Sequence, residues 1–566
     1  MDFGLRLTVA SALSLAPLGP LTLRLAHLQV LRHEALSERA EGEFSRTASE
    51  AAPRADITDR KGRVLARSVP TWSVFLDKKM LKDPAELGRK LGPILKVAPG
   101  ELERKARASG RFCWLKTGVD FPTAQAVQAA RVECVGLTPS SQRVYPNEGL
   151  ARPVLGVVGA EGKGLSGLEL SQEKRLRGKP RRLELTRDGK GRAIHRDVAE
   201  DGEVPAPLKL TIDRNVQYIV EEALAEGAGA HAFKSGYAAV QDPRTGEILA
   251  MAAWPPNPLK NPLVQDAYEP GSTFKVVTAL AAVEERLVGP AETFSGEGGK
   301  WQIAPGVTIT DHEPEPDMTL AQILERSSNI GIAKVVERVG PARFFRAARA
   351  LGFGLRTGVP LPGETAGDLK PFSDLGKVGL AASSYGYGLS VSPLQMLGAY
   401  SALANGGTLY EPRLLDDGTA PEKVRRVASE RAVGELARML EAVVDHGTGQ
   451  PARIPGYRVA GKTGTARKLD PLTRKYSQKA YVASFAGWLP ASAPRWTILV
   501  IVDEPTKGSY YGGLVAAPVF AKIGRRLLTL EAVAPDRPAE PAPDRGAVAA
   551  ARRVASVPPP LRRAGR

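Results

Sequence analysis

The sequence predicts a multidomain α+β protein with one N-terminal membrane segment. Its 566 residues are enough for two or three domains, each with its own core. An apolar run from Leu7 to Leu23 precedes a chain in which helix-like and strand-like segments are mixed. Pro205-Ala-Pro207 is typical of a linker and divides the remaining chain into two parts.

The apolar run is expected to anchor the chain in a membrane. Its 17 residues contain Pro17, Gly19 and Pro20, and a spanning helix needs about 20. Apolar residues resume at Leu25–Leu31 and extend the stretch. No convincing small-residue cleavage site follows, which favours an anchor over a cleaved signal peptide. A buried or interfacial helix is the remaining alternative.

Composition sets the other expected boundaries. Polar residues follow the apolar run, and the chain becomes rich in Pro, Ala and Arg near its C-terminus. The predicted regions are a short cytoplasmic end and anchor at 1–32, a helical stalk at 33–50, a mixed α/β domain at 51–205, a larger α+β domain at 206–530 and a disordered basic tail at 531–566.

The net charge of +17 is spread along the chain, and no nucleic-acid motif accompanies it. We therefore expect no nucleic-acid partner and a protein that works beside anionic lipids and polymers. The two cysteines, Cys113 and Cys134, form a disulfide on the exported side or remain free thiols. The six histidines show no ligand spacing, so neither a metal nor a cofactor is predicted.

Three short strings in a fixed order predict a serine acyl-transfer site without a histidine: Ser272-Thr-Phe-Lys275, Ser327-Ser-Asn329 and Lys462-Thr-Gly-Thr465. Each string alone is weak evidence. Ser171-Gln-Glu-Lys174 repeats the first pattern and Lys116-Thr-Gly118 repeats part of the third, and we assign both to chance. The prediction therefore depends on the order of the strings and on their local context.

The first string follows a turn-rich segment, Tyr268–Gly271, and opens an apolar helical segment. Ser272 is thus expected at a helix N-terminus, which carries partial positive charge. Lys275 lies on the same helix face, within reach of the hydroxyl as a general base. A lysine base must be neutral, so we expect burial and the nearby charge of Lys462 to lower its pKa.

The second string joins two helix-like stretches. Ser327 and Asn329 are therefore expected to point from a short connection into a cleft. A hydroxyl there can relay a proton, and a carboxamide can orient a substrate amide.

The third string follows the β-rich residues Tyr457–Ala460, which place it on a strand. Gly464 would let a substrate backbone approach and pair as an added strand, while Lys462, Thr463 and Thr465 would hold a terminal carboxylate. The backbone N–H groups of Ser272 and Thr465 would form an oxyanion hole.

A phosphate-binding loop is the competing interpretation of Gly456–Thr463, which has two glycines with four residues between them, followed by Lys-Thr. Such a loop needs a buried strand before it and a helix that opens at the Lys-Thr. The preceding residues 445–455 are turn-rich, and the following residues 464–471 are polar and broken. The sequence therefore argues against an NTPase.

Together the three strings resemble those of the penicillin-binding proteins, specifically the class B monofunctional transpeptidases. The similarity covers about Ala51 to Leu528. Residues 384–395 and 511–520 are more similar to the cell-division type than to the elongation type. Other similar segments are Arg54–Ala66, which resembles the signature just outside the membrane, Arg143–Pro146 and Gly164–Glu169 in the pedestal, and Asp242–Met251 in the first hairpin of the transpeptidase domain.

The resemblance implies a fold and a role for each motif residue. The fold would comprise an elongated α/β pedestal and a penicillin-recognising transpeptidase domain, in which helices flank an antiparallel sheet. The implied roles are Ser272 as acylated nucleophile, Lys275 as base, Ser327 as proton relay, Lys462 as a source of positive charge, Asn329 as a contact to the donor peptide, Thr463 and Thr465 as carboxylate ligands, and Gly464 as the residue that leaves room for the acyl chain.

The resemblance also implies a function. The chain would be a peptidoglycan D,D-transpeptidase in septal cell-wall synthesis, inhibited by β-lactams, with its catalytic domain outside a bacterial inner membrane that it spans once. A SEDS-type glycosyltransferase and other divisome membrane proteins would be its partners. The alternatives are an elongation-type transpeptidase, a D,D-carboxypeptidase or β-lactamase-like hydrolase, and a noncatalytic β-lactam sensor or scaffold.

Overall fold

The computed structural model describes residues 2–15, 17–50, 52–187, 193–470, 472–473 and 475–538. Within it the chain divides into two compact units. The first comprises the described residues within 1–56, 67–144 and 174–207, and the second comprises those within 57–66, 145–173 and 208–538.

The helices and strands alternate along most of the chain. The α-helices are α1 Phe3–Leu15, α2 Leu18–Ala26, α3 His33–Phe44, α4 Pro84–Leu95, α5 Pro99–Arg107, α6 Phe121–Ala129, α7 Arg152–Leu155, α8 Gly167–Ser171, α9 Glu173–Leu176, α10 Arg214–His231, α11 Pro262–Gln265, α12 Lys275–Glu284, α13 Leu320–Arg326, α14 Asn329–Val339, α15 Pro341–Ala350, α16 Lys377–Ser384, α17 Pro393–Ala404, α18 Glu430–Asp445, α19 Gly512–Val515 and α20 Ala517–Leu530. The strands are β1 Ser45–Glu50, β2 Ile57–Thr58, β3 Val64–Asp77, β4 Phe112–Val119, β5 Val135–Val144, β6 Arg181–Arg187, β7 Ala193–Glu200, β8 Leu208–Lys209, β9 Phe233–Gln241, β10 Ile248–Trp254, β11 Thr293–Phe294, β12 Lys300–Ala304, β13 Val307–Thr310, β14 Met318–Thr319, β15 Thr408–Tyr410, β16 Lys423–Arg426, β17 Ala460–Leu469, β18 Tyr476–Leu489 and β19 Trp496–Pro505.

The N-terminal helices form one stretch, Phe3–Leu31, which is long and apolar enough to cross a membrane and is not buried in the protein. Its 29 residues exceed the predicted apolar run, because the helix continues past Leu23 through a π-helical turn at His27–Leu31. Helix α3 then follows where the sequence predicts a polar helical stalk, but the helix ends at Phe44 and the last six residues of that region, Ser45–Glu50, form strand β1, which corrects the prediction.

The first unit contains two small antiparallel sheets. Strand β6 pairs with both β1 and β7, and the part of β3 from Arg67 onward pairs with both β4 and β5. Helix α4 buries Leu87, Leu91 and Leu95, which recur at helical spacing on one face. Cys134 packs into the same core, and both cysteines are free thiols. Of the two predicted possibilities, the structure therefore contains the free pair.

The second unit is built on a five-stranded antiparallel sheet in the order β10-β9-β19-β18-β17. Successive side chains of a strand face opposite sides, and β18 shows this clearly. Phe485 packs on Phe520 of α20, with ring centroids 4.6 Å apart, whereas Trp488 faces Tyr400 of α17 at 6.5 Å. Helices therefore cover both faces of the sheet, as the resemblance implied. Strand β17 lies at one edge.

The two compact units differ from the predicted domains in one respect. Residues 57–66 and 145–173 group with the second unit, although they precede the linker in sequence. Within that unit β2 pairs in parallel with β8, and the Glu221 carboxylate of α10 accepts a hydrogen bond of 2.8 Å from the backbone N–H of Ala151. Composition, from which the domain boundary was predicted, gives no information on such nonlocal contacts.

The predicted disordered tail at 531–566 is ordered in its first residues, which is a correction to that prediction. The backbone N–H of Arg458 donates to Asp536 at 2.8 Å, and the Tyr457 hydroxyl donates to the Val533 carbonyl at 2.6 Å. Arg537 forms two hydrogen bonds with Asp445 at 2.8 and 2.9 Å. Polar side chains thus fix a segment whose composition is typical of disorder. Residues 539–566 lie outside the described residues.

Candidate active site

Ser272 lies in a 3-10 turn, Gly271–Phe274, that continues directly into α12. The turn presents the serine at the helix N-terminus, as the sequence predicts. Gly271 has φ +55°, and a Cβ there would lie 3.2 Å from the Thr465 carbonyl oxygen. Glycine therefore allows the turn to approach β17 closely, which brings the first and third strings together.

The Lys275 amine contacts members of the first two strings. Its Nζ lies 3.0 Å from Ser272 Oγ, 2.5 Å from the Ser327 carbonyl oxygen, 3.2 Å from Ser327 Oγ and 2.9 Å from Asn329 Oδ1. The carbonyl and carboxamide oxygens can only accept, so they take two amine hydrogens. The position that remains faces the hydroxyls and can hold a third proton or the lone pair of a neutral amine. This arrangement suits transfer of a proton from Ser272.

Ser327 ends α13 in the left-handed region, with φ 63° and ψ 36°. The next residue, Ser328, caps α14, because its hydroxyl accepts a hydrogen bond of 2.8 Å from the N–H of Gly331. The chain therefore reverses at Ser327 between α13 and α14. Asn329 is the first residue of α14. This is the short connection that the sequence predicts.

Lys462 lies on β17, as the β-rich residues before it indicate, and its side chain is fully buried. Its Nζ lies 2.9 Å from Ser327 Oγ, so the Ser327 hydroxyl is within hydrogen-bond distance of both lysines. The structure therefore places Ser272, Lys275, Ser327, Asn329 and Lys462 in one connected cluster. A strand at Lys462 and Thr463 also removes the phosphate-loop interpretation, which requires a helix there.

Burial changes the acid–base properties of both lysines. It lowers the pKa of Lys275 to about 7, and the nearby Asp311 carboxylate opposes that shift. Burial, and then the neighbouring Lys275, lower the pKa of Lys462 well below its usual range. The predicted repulsion between the two amines thus acts on Lys462, whereas burial accounts for the shift of Lys275. A lysine with a pKa near 7 can serve as a general base at neutral pH.

The two threonines of the third string are held by neighbouring groups. Thr463 Oγ1 lies 2.8 Å from Thr448 Oγ1 and 3.4 Å from Lys462 Nζ. Thr465 Oγ1 accepts a hydrogen bond of 3.0 Å from the N–H of Gly512. Sequence reasoning did not identify Thr448, since it lies in a loop 14 residues before Lys462.

The space left by the missing side chain of Gly464 does not lie where its predicted role requires. A Cβ there would lie 2.3 Å from Ser484 Oγ and 3.0 Å from Thr273 Cγ2. The space that glycine leaves is therefore filled by the protein's own β18 and 3-10 turn. Close packing accounts for the glycine, and the predicted room for an acyl chain does not lie on this side.

Asp311 is the main residue of the cluster that sequence reasoning missed. One carboxylate oxygen accepts hydrogen bonds from the backbone N–H groups of Asn329 and Ile330, at 2.5 and 3.1 Å, and the other accepts one from the Ser328 hydroxyl at 2.5 Å. Asp311 therefore holds the start of α14, and Asn329 with it. It follows the β12–β13 hairpin, and no pattern in the sequence connects it with the second string.

Known families match most of the chain. The family model of the penicillin binding protein transpeptidase domain matches residues 236–525, and that of the penicillin-binding protein dimerisation domain matches residues 49–210.

Among curated relatives, the probable peptidoglycan D,D-transpeptidase PenA of Neisseria gonorrhoeae is 33% identical over 531 residues, which cover 90% of each chain. The peptidoglycan D,D-transpeptidase FtsI of Escherichia coli is 31% identical, with 91% of this chain and 90% of the relative covered. Stage V sporulation protein D of Bacillus subtilis is 32% identical, with 89% and 82% covered.

Solved structures show the same similarity. Penicillin binding protein 3 of Mycobacterium tuberculosis, complexed with ampicillin, superposes with a TM-score of 0.67 and 29% identity, over 88% of this chain and 98% of that one. A peptidoglycan synthetase from Bifidobacterium adolescentis superposes with a TM-score of 0.68 and 26% identity, over 88% and 98% of the two chains.

Proposed function

This chain belongs to the class B penicillin-binding proteins, and we propose on that premise that it is a peptidoglycan D,D-transpeptidase. It cross-links stem peptides through an acyl-enzyme on Ser272, and β-lactams inhibit it covalently. The observation that carries the proposal is the 3.0 Å contact between the Ser272 hydroxyl and the amine of Lys275, whose pKa burial lowers to about 7.

Acylation begins when neutral Lys275 takes the proton of Ser272 Oγ. The oxygen attacks the carbonyl carbon of the penultimate D-alanine, and the backbone N–H groups of Ser272 and Thr465 stabilise the resulting oxyanion. Breaking the C–N bond expels the terminal D-alanine. Its amine receives a proton through Ser327, which lies between the two lysines.

The donor is held on both sides of the scissile bond. Its terminal carboxylate is bound by Thr463, Thr465 and the Lys462 ammonium. Burial lowers the pKa of Lys462, and the negative charge of the bound carboxylate raises it again, which favours the protonated amine. Asn329 contacts the peptide amide before the bond, while its own Oδ1 accepts from Lys275. These roles explain why the three strings must meet.

Deacylation completes the cross-link. An amine from a neighbouring stem attacks the ester carbonyl, and the C–O bond to Ser272 breaks. The proton lost by the attacking amine returns to Ser272 Oγ by way of Lys275. A β-lactam forms the same ester but leaves an acyl group that the acceptor does not remove.

The setting of the reaction follows from the same proposal. The helical stretch Phe3–Leu31 anchors the chain in the bacterial inner membrane, and the catalytic domain lies outside it. Residues 51–205 act as the pedestal and 206–530 as the transpeptidase domain, which the matches at 49–210 and 236–525 support. A SEDS-type glycosyltransferase and other divisome membrane proteins are the proposed partners, as the resemblance to the class B transpeptidases implies. The segments at 384–395 and 511–520 favour septal synthesis.

Covalent labelling by a fluorescent penicillin tests the nucleophile. The full-length chain in detergent is compared with Ser272→Ala and with a matched control, Ser171→Ala, which alters the chance Ser-x-x-Lys string. We expect labelling of the wild type and the control and its loss in Ser272→Ala. Labelling of folded Ser272→Ala, or none of folded wild type, would contradict the proposal.

Transfer to an amine separates a transpeptidase from a hydrolase. The acyl-enzyme made from a synthetic donor thioester is offered a D-amino acid as acceptor, and the two products are measured by mass spectrometry. We expect the aminolysis product to exceed the acid. Acid alone, with rapid turnover of penicillin, would favour a carboxypeptidase or β-lactamase instead.

A further inference from the structure

Three aromatic side chains of the first unit, Phe75, Phe112 and Trp114, form a surface cluster that we call the aromatic face. Phe112 and Trp114 on β4 are 50% and 46% exposed, although every described residue of the chain is in place. Their rings lie 4.9 Å apart, and the ring of Phe75 on β3 lies 5.4 Å from that of Phe112 and 6.3 Å from that of Trp114. Apolar side chains that cluster on a surface mark a site of interaction.

The aromatic face lies on the side of the sheet opposite to the core. Val74 and Leu76, the neighbours of Phe75 on β3, are buried in the core that also contains α4. The alternation of side chains along a strand therefore directs Phe75 to the other side. Gly136 on β5 lies against its ring, since a Cβ at this position would collide with it. The sheet thus supports the cluster, and the two rings of β4 are open to solvent.

Basic residues surround the aromatic face. Residues 77–82 and 107–114 meet at this end of the β3–β4 ladder, because the N–H of Lys78 donates to the Arg111 carbonyl at 2.8 Å. The two segments contain five Lys and Arg and one acid. The side chain of Arg111 is 72% accessible, and its ion pair with Asp77 is long, at 3.6 Å. This surface therefore combines exposed aromatic rings with positive charge.

A neutral carbohydrate is a poor match for the aromatic face. Aromatic rings can stack on sugars, but a bound sugar also needs hydrogen-bond partners for its hydroxyls. On the same side of β3 as Phe75, Ser73 is buried, and the hydroxyls of Thr71 and Ser140 bond each other at 3.0 Å. A neutral glycan would also gain little from the surrounding cations.

A bilayer that contains anionic lipid is a better match. Exposed aromatic side chains favour the boundary between headgroups and acyl chains, and Lys and Arg attract anionic headgroups. The helical stretch Phe3–Leu31 belongs to the same compact unit as the aromatic face. An anchored chain presents the face to the bilayer at a high effective concentration, so weak contacts are sufficient for docking.

We infer that the aromatic face docks on the surface of the bilayer in which the chain is anchored. Its rings enter the headgroup boundary, and Arg111 and the neighbouring lysines bind anionic phospholipid headgroups. The inference rests on the membrane anchoring proposed above and is independent of the acyl-transfer chemistry. The contact gives the first unit a second attachment to the membrane and limits its tilt away from the bilayer.

Tryptophan quenching tests the inference with the full-length chain in lipid nanodiscs. One set of discs contains brominated phosphatidylcholine and phosphatidylglycerol in equal parts, and the other contains brominated phosphatidylcholine alone. Brominated acyl chains quench a tryptophan that contacts them. The anchor Phe3–Leu31 contains no tryptophan and gives no signal of its own. We expect quenching in the anionic discs and much less in the neutral ones.

Trp114→Phe identifies the tryptophan that is quenched. This variant keeps an aromatic ring at the position and should lose the quenching. Trp254→Phe is the matched control, because it changes a tryptophan of the second unit that is 36% exposed. It should leave the quenching unchanged. Thermal unfolding of each variant confirms that it is folded.

Arg111→Gln combined with Lys79→Gln tests the role of charge. The double variant should reach half-maximal quenching at a lower salt concentration than the wild type, because fewer cations attract the headgroups against screening. Lys260→Gln combined with Arg346→Gln is the matched control. It removes two cations of the second unit whose side chains are 51% and 72% accessible, and it should leave the salt midpoint unchanged.

An unquenched but folded wild type in the anionic discs, or quenching that survives Trp114→Phe, would overturn the inference. Equal quenching in both kinds of disc, or equal salt midpoints for the two double variants, would also overturn it, since the charges would then play no part. A change in Trp114 emission on adding purified glycan strands in detergent, without quenching in the discs, would assign the face to a glycan instead. Penicillin labelling of the same samples reports the proposed function separately, so the two failures are distinguishable.

Discussion

The carboxylate of Asp311 accepts a hydrogen bond of 2.5 Å from the backbone N–H of Asn329. This contact fixes the first turn of α14 and, through it, the carboxamide that accepts from Lys275. Asp311 is thus a positioning residue, which acts on the reacting groups through Asn329. It also raises the pKa of Lys275 against the effect of burial.

Replacing Asp311 by Asn should slow acylation and also change its pH dependence. The loss of charged hydrogen bonds to the α14 terminus is expected to lower the acylation rate about tenfold to a hundredfold. Without the carboxylate, the pKa of Lys275 should fall, so the rise of the rate with pH should begin at a lower pH. Stopped-flow measurement with a chromogenic cephalosporin from pH 5 to 9 gives both quantities.

Glu313→Gln is the matched control, because Glu313 is an exposed acid two residues away. It should change neither the rate nor the profile. A slower Asp311→Asn enzyme with an unmoved pH profile would show that the carboxylate affects only local structure.

The wild-type acylation rate should itself depend on the protonation of Lys275. Burial lowers its pKa to about 7, and only the neutral amine accepts the proton of Ser272. The rate should therefore fall about tenfold per pH unit below 7 and level off above it. Lys275→Arg keeps a cation that cannot be deprotonated and should not acylate at any pH. A rate that stays constant from pH 5 to 8 would argue against lysine as the base.

The hydroxyl pair of Thr448 and Thr463 should contribute to carboxylate binding. Thr448→Val removes one hydroxyl from a 2.8 Å contact and should weaken the initial binding of penicillin about threefold to tenfold, the usual value of one hydrogen bond. Thr448→Ser restores the hydroxyl and should recover most of the loss. Concentration dependence of acylation separates this binding step from the chemical step, which should change less. If the serine variant binds as weakly as the valine variant, the methyl group and not the hydroxyl is important.

The ordered C-terminal segment should stabilise the region that leads into β17. Arg537 forms a bidentate pair with the partly buried Asp445, which lowers the pKa of that carboxyl. Arg537→Ala should reduce stability by about 1–2 kcal/mol. Thermal unfolding of the full-length chain followed by fluorescence measures this change.

That stabilisation has a defined pH dependence. A carboxyl whose pKa is lower in the folded than in the unfolded state stabilises the protein fully at pH values above its unfolded-state pKa. This stabilisation is lost as the pH falls through the folded-state pKa. The difference between wild type and Arg537→Ala should thus shrink below about pH 4. Arg346→Ala removes an exposed pair with Glu285 at 3.6 Å and should cost less than about 0.5 kcal/mol. Equal effects of the two variants would contradict a specific role for Arg537.

The parts of the site that the sequence predicts are local ones. Ser272 and Lys275 are one helical turn apart, so their contact follows from helix geometry. The strand that carries Lys462 is predictable from the β-rich residues before it. Only the similarity to a family, however, predicts that Lys462 and Ser327 meet, because 135 residues separate them.

The unpredicted parts depend on tertiary packing. Asp311 reaches Asn329 because the β12–β13 hairpin folds back over α14. Phe112 and Trp114 look like ordinary strand residues in the sequence, and only the structure shows that their rings are exposed. The assignment of residues 57–66 and 145–173 to the second unit is equally nonlocal, since it depends on β2 and β8 pairing across the linker.

The two fully buried lysines make the active site a source of instability until a ligand binds. Within the described part of the chain neither amine has a carboxylate at ion-pair distance. Burial therefore deprives the charged forms of both lysines of the stabilisation that water would give them. A bound anion supplies the missing counter-charge and should be accompanied by proton uptake. Ligands that carry a carboxylate should therefore make the protein more resistant to heat before any covalent bond forms, and that gain should diminish in alkaline buffer.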